Sequence, residues 1–433
     1  MAGATAVSAD DFADRKVNNW HQWRGPLANG VAPVADPPTT WSERENIRWK
    51  VPIEGRGNAT PIIWEDRVFV LTTVDTGRVD PDFAKPQDQP EREFGIVFPN
   101  TFHRFDVLCL DRQTGRELWR RTAAEMVPPE GHHSDNTFAS SSPTTDGERL
   151  YAWFGAAGCC CSYDLSGDLL WKRDLGSAET RKSFGEGSSP VVHGGRLIIT
   201  RDQEGPSYLV VLSALTGDEL WRAERDEPSA WATPLVVEQG GRTQVVTNAT
   251  NRVRSYDLED GSLLWECGGQ VTNVIPSPVA WNGMVFCMSG YRGSALYAVS
   301  LGARGDVTGK DAVVWSKQQG TPYVPSPLLY EGRLYFTQSN DNILSCVAAA
   351  TGDQLLERTR LPGIRSLYAS PVAAAGRIYF VGRDGTTLVI EAGGGLTILA
   401  TNRLDDRLDA SPAVAGNEFF LRGREHLYCV AVP

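Results

Sequence analysis

The 433 residues combine 41% hydrophobic with 22% charged side chains, the balance of a folded chain, and carry a formal net charge of −11. That field opposes nucleic acid and anionic membranes as partners, and no stretch approaches the roughly 18 uninterrupted apolar residues of a spanning helix. Residues 1–16 lack a hydrophobic signal core and eight cysteines are too sparse for a disulfide scaffold, so the chain is expected to be soluble or already stripped of an export signal.

In chain order, residues 1–45 read as an N-terminal extension containing Asn19-Trp-His-Gln-Trp-Arg-Gly-Pro26. Residues 46–51, Asn-Ile-Arg-Trp-Lys-Val, have the pattern of a strand. From there to the end a single unit recurs: a Thr-Pro or Ser-Pro pair, an apolar run, a turn with Gly, Asp or Asn, and a second apolar run. Its prolines are Pro61, Pro143, Pro190, Pro234, Pro278, Pro327, Pro371 and Pro412. Apart from the first gap of 82 residues, the spacing stays between 41 and 49. Self-similarity at such a period signals a repeat architecture. The long first gap places an insertion at about 74–105, rich in proline, acidic residues and phenylalanine.

Each apolar pair is followed by a second signature, clearest in Asp111-Arg-Gln-Thr-Gly115-Arg-Glu-Leu-Trp119 and Asp257-Leu-Glu-Asp-Gly261-Ser-Leu-Leu-Trp265. Glycine supplies the positive φ of a tight hairpin, and the tryptophan sits on the next strand. Related copies end at Trp171, Trp221 and Trp315, with Leu356 and Leu399 in the same slot of two weaker copies. One unit therefore predicts four strands: 189–192, 196–200, 208–213 and 219–222 in the clearest case. Eight such units predict an all-β, eight-bladed propeller of four-stranded antiparallel blades. The tryptophans are expected to pack into the seams between blades.

The last unit supplies three strands and stops without its tryptophan strand. Residues 46–51 are expected to complete it, closing the ring and removing an open sheet edge. The single propeller then spans 46–433. Cys109, Cys346 and Cys429 fall at matching places in three repeats and are expected to be buried strand residues.

The repeated Asp-x-x-Thr-Gly-x-x-x-Trp unit resembles the pyrroloquinoline-quinone-like propeller superfamily, which includes quinoprotein alcohol dehydrogenases and the barrel-assembly lipoprotein of the bacterial outer membrane. The opening motif is similar to the start of propellers common in Planctomycetes. The resemblance implies export to the periplasm or medium, and for its dehydrogenase branch a quinone, a calcium ion and a vicinal cysteine pair before an inner strand. Cys159-Cys160-Cys161 lies instead at a third strand, and there is no c-type haem motif, so this chain is read as not redox-active.

In this architecture function gathers at the channel mouth. The loops expected there carry His132, His133, Asp135, Asn136, Asp202, Glu204, Trp231, Tyr291, Arg292, Tyr323, Arg365, Tyr368, Arg383, Asp406 and Arg424. Carboxylates and guanidiniums for directional hydrogen bonds, with flat aromatic faces, suit a glycan, another polar small molecule or a protein partner. His132 and His133, with His426, are the candidate metal ligands. Two alternatives stay open: a carbohydrate-active lyase or hydrolase on the same face, and a quinone-dependent dehydrogenase. A monomer is expected.

Overall fold

A computed structural model describes residues 9–432, and these form eight sheets arranged as one eight-bladed β-propeller. Blade 1 runs Ile62–Trp64, Arg67–Val79, Thr101–Asp111 and Glu117–Met126. Blade 3, the unit singled out from sequence, runs Val191–His193, Arg196–Arg201, Ser207–Ser213 and Glu219–Arg225. In blades 1 to 7 the four main strands pair antiparallel in chain order from the channel outward, and in the last blade the outermost strand comes from the start of the chain. Apolar residues alternate from the two faces of each sheet into the gaps between blades, so the core is a series of inter-blade clusters rather than one centre.

The seams carry the tryptophans. Trp119 of blade 1 donates its indole N–H to the Leu165 carbonyl at the turn of blade 2. Trp171, Trp221 and Trp315 do the same to Ala214, Leu258 and Ala349, at 2.9–3.1 Å. Each ring lies flat on the turn's glycine. A Cβ on Gly217, for example, would fall 2.7 Å from the Trp171 ring. Glycine is thus demanded twice, by φ of +74° and by the ring above it.

Trp265 departs from this rule because the following turn carries an insertion. There Gly305–Asp306 adds a short parallel strand against Trp265 and Glu266, giving blade 4 a fifth member. The indole turns inward to Gln244 instead. The Leu399 slot also needs correction. A bulge precedes the seam position in each outer strand; in blade 7 Val389 pairs with Ala400 and Ile390 with Ile398, leaving Leu399 as the bulged, exposed residue. Ala400 holds the tryptophan register. The bulge adds local twist and blunts the outer edge.

Closure follows the sequence expectation. Ile47–Pro52 pairs antiparallel with His426–Ala431, completing the sheet that contains Ala413–Ala415 and Glu418–Arg422. Trp49 then docks on blade 1, donating to the Arg112 carbonyl at 2.9 Å. Glu418, nearly buried, accepts from Arg48 on the closing strand and Arg112 on blade 1. One carboxylate thereby ties the last blade to the first.

The stretch ahead of the closing strand is built into the ring. Trp20 exchanges backbone hydrogen bonds with Ile63 of blade 1, His21 accepts from Thr145 of blade 2, and Ala32 and Gly30 pair with Ala373 of blade 7. Arg24 is buried under it, donating to the carbonyls of Pro371, Pro327 and Asn29 at 2.7–3.0 Å. The segment spans the channel end opposite the loops at 132–136. The insertion is a hairpin extension, since Arg67–Val79 and Thr101–Asp111 both run on into it.

Candidate functional site

Each innermost strand begins at its Ser-Pro or Thr-Pro pair, and proline has no N–H to give its neighbours. The residue before it supplies the link. The Thr60 N–H donates to the Ser142 hydroxyl, Ser142 to Ser189, Ser189 to Thr233, Thr233 to Ser277, Ser277 to Ser326, Ser326 to Ser370 and Ser370 to Ser411, all at 2.8–3.1 Å. The Thr60 hydroxyl closes the circle on the Ser411 carbonyl at 2.9 Å. Eight hydroxyl residues therefore girdle the channel. From sequence these serines read only as strand starts; a hydroxyl in all eight copies was the signal.

Above the girdle lies a cup of about 350 Å³. Trp23 forms its floor, rising from the N-terminal segment to donate to the Ser277 hydroxyl at 3.1 Å. The walls carry Phe184, Trp231, Tyr291, Tyr323, Tyr368 and His133, with the girdle hydroxyls between them. Tyr291 and Tyr323 stack at 4.8 Å between centroids. Phe94, from the tip of the insertion, reaches over the rim to Phe184 and His133, while Glu93 beside it pairs with Lys182. The insertion is therefore a partial lid.

One side of the cup is a four-member charge cluster. Asp135 accepts from Arg383 at 2.5 Å and Arg407 at 2.6 Å, and from the Tyr368 hydroxyl at 2.9 Å. Asp409 accepts from the same two arginines at 2.6 and 2.7 Å. Arg383 lies 3.7 Å over the Tyr368 ring. Two carboxylates and two guanidiniums cancel, so this wall is polar but neutral. Burial pushes the Asp409 carboxyl above the usual range against the pull of Arg383, and burial beside Asp135 raises the Tyr368 phenol.

Of the residues expected at the mouth, His133, Asp135, Asn136, Trp231, Tyr291, Tyr323 and Tyr368 line the cup, and Arg383 backs it. Asn136 is a brace, donating to the Phe184 and Glu186 carbonyls. Others are spent elsewhere. Asp202 is a buried partner of Arg225, at 2.6 and 3.0 Å. Glu204 caps the Ser229 N–H. Asp406, buried, accepts the backbone N–H groups of Arg407, Arg424 and His426. Arg292 folds onto Tyr291, and Arg365 is exposed and lines neither the cup nor its neighbour. His132 and Arg424 face a smaller cavity beside the cup.

The metal candidates do not converge. His132 Nδ1 is bonded to the His133 carbonyl, His133 Nδ1 accepts from the Asp135 N–H, and His426 sits 3.5 Å from Asp406. Among the described residues no group of three or more His, Cys, Asp or Glu is placed to hold a metal ion. Phe94 belongs to the phenylalanine-rich insertion that sequence offers as a lid over the channel face or a partner contact, whereas Trp23 and Phe184 carry no such signal, because an apolar side chain in a loop reads as core.

Eight four-stranded blades with indole-on-glycine seams define a propeller of the pyrroloquinoline-quinone type. The chain belongs to the family described as outer membrane protein assembly factor BamB, whose model matches residues 103–357. No curated protein matches it in sequence. Among solved structures, BamB from Moraxella catarrhalis shares 12% identity over 88% of this chain and 98% of that one, with a TM-score of 0.58. The quinohemoprotein alcohol dehydrogenase ADHIIG from Pseudomonas putida HK5 shares 11% over 97% and 81%, with a TM-score of 0.59. At these identities the likeness is one of fold.

The residues present do not fit the quinone of that second relative. Pyrroloquinoline quinone is a tricarboxylate, whereas the lining of the cup itself carries no arginine or lysine, and Arg383 and Arg407 behind its wall are bound to Asp135 and Asp409. Cys159, Cys160 and Cys161 are buried on the third strand of blade 2 and line no part of the cup.

Proposed function

We propose that this propeller binds a carbohydrate in the channel-mouth cup, outside the cytoplasm and without redox chemistry. The observation that carries the reading is the pairing of flat aromatic faces with a circle of hydroxyls in one cup that has a tryptophan floor. A pyranose presents an apolar face for stacking and an equator of hydroxyls for hydrogen bonding. Covering the C–H face of a pyranose with an aromatic ring contributes about 25 cal/mol per Å² of apolar surface removed from water, and a typical neutral hydrogen bond adds about 1 kcal/mol net. The neutral wall suits a ligand recognised by shape and hydroxyl geometry. Export is supported by the family's description as an outer membrane assembly factor.

A protein partner is the second reading. It is favoured by Phe94 and Val97, apolar and exposed on the rim hairpin, and by the same family description.

A glycan screen by thermal shift, followed by calorimetric titration of the hits, tests the first reading. Trp231→Ala and Tyr291→Ala should each weaken binding about tenfold, as loss of a large buried aromatic contact predicts, while Leu220→Ala on an outer strand should leave it unchanged. Hits unaffected by both cup variants would contradict the proposal. Release of new reducing ends from a bound glycan would instead assign the lyase or hydrolase alternative.

A further inference from the structure

Beside the cup lies a smaller cavity of about 140 Å³, with room for a carboxylate or sulfate. The two share Asn58, Asp135, Asn136 and Asp409 in their walls, so they are adjoining compartments of one mouth. The smaller one is basic in a chain whose net charge is −11: Arg56, Arg407, Arg422 and Arg424 line it, against Asp135 and Asp409. Both carboxylates are already held by Arg383 and Arg407. Arg56 has Glu425 at 3.5 Å, with both side chains exposed.

Arg422 is the decisive residue. Its side chain is 1% exposed, yet Nε and Nη2 have no hydrogen-bond partner, and Nη1 has only the His426 carbonyl at 3.4 Å. Nε and Nη2 form the side-on fork with which arginine grips an oxyanion in two parallel bonds. A buried guanidinium with that fork empty is costly in a folded protein. Burial accordingly pulls its pKa down to about 10. Asp406 offsets part of its charge at a distance but makes no hydrogen bond to it, accepting four backbone N–H groups instead.

We infer that the small cavity is an oxyanion subsite, filled by the carboxylate or sulfate of an acidic sugar whose ring occupies the cup. The inference rests on the carbohydrate reading above and names the class of sugar. The oxyanion takes the free fork of Arg422, with Arg424 and Arg56 closing from the solvent side.

The test compares three ligands by calorimetry on the full chain: a neutral disaccharide, its uronate counterpart and its sulfate ester. Sodium sulfate at ionic strength matched with chloride serves as the sugar-free probe. At least one acidic disaccharide should bind about tenfold or more tighter than the neutral one, a difference of about 1.4 kcal/mol, and which of the two does so names the oxyanion. Arg422→Met, which replaces an unpaired buried charge by an apolar chain of similar length and so should fold, should bring that ratio close to one. Arg424→Gln, on the surface, should lower it partway. Equal binding of all three ligands by the unaltered protein, or a ratio unchanged in a folded Arg422→Met, would overturn the subsite while leaving the cup reading in place. Sulfate that raises Tm for the unaltered protein but not for Arg422→Met, with no disaccharide bound, would keep the subsite and sink the carbohydrate reading.

Discussion

Gly217 shows how a single residue is fixed by two demands at once. Its φ of +74° and the Trp171 ring 2.7 Å from any added Cβ make Gly217→Ala costly in conformation, about 1–2 kcal/mol, and in packing, about 1–3 kcal/mol more. Gly176→Ala separates these terms, since Gly176 has φ of +79° but nothing within 4 Å of a Cβ. Urea unfolding should find Gly217→Ala less stable than Gly176→Ala by at least about 1 kcal/mol. Equal losses would mean that the indole contact adds nothing. Glu130 makes a residue-scale prediction in pH. Burial pushes its carboxyl up to about 7 although Thr180 donates to it from both backbone and hydroxyl. The folded state therefore holds the proton more tightly than the unfolded chain, whose carboxyl titrates near 4.5. Stability from this site is full below pH 4.5 and is lost as pH rises to about 7. In Glu130→Gln that part of the decline in Tm between pH 5 and pH 8 should vanish; an unchanged slope would place the titration elsewhere.

At the scale of elements, strands and seams were legible because their signal is repeated eight times, and errors in one copy are corrected by the others. Leu399 shows the limit. A bulge shifts the register by one residue, and in a copy without tryptophan nothing in the sequence marks the shift. Trp265 shows another, where an insertion three strands further along the chain replaces the expected dock. The closing strand was legible from a missing fourth strand at the end of the chain. Its removal should therefore be severe: deletion of residues 1–51 takes away Trp49, all but one residue of the strand paired with His426–Ala431, and the segment under the channel. Such a chain should be insoluble or melt far below the full-length protein, by circular dichroism. A melt matching full length would refute the closure.

At the scale of the whole molecule, the sequence located the mouth but could not sort its residues. Polarity marks loops that meet water as readily as loops that meet ligand, so Asp202 and Asp406 looked like Asp135. What separates them is the partner each folds onto, Arg225 for Asp202 and the backbone of the 407–426 loops for Asp406. Two apolar parts of the cup were hidden for the converse reason. Trp23 and Phe184 come from distant stretches, and only the ring brings them, with Phe94 of the insertion, over one circle of hydroxyls. The same assembly sets the acidic chain's basic compartment next to a neutral cup, although no run of basic residues announces it.

The central claim is that this cup holds a sugar ring. The crystal structure of the protein with its tightest-binding glycan tests it most directly. A pyranose should lie between Trp231 and the Tyr291/Tyr323 stack, above Trp23, with its hydroxyls toward the Ser/Thr girdle. A glycan bound on another face, with the cup free of it, would contradict the account.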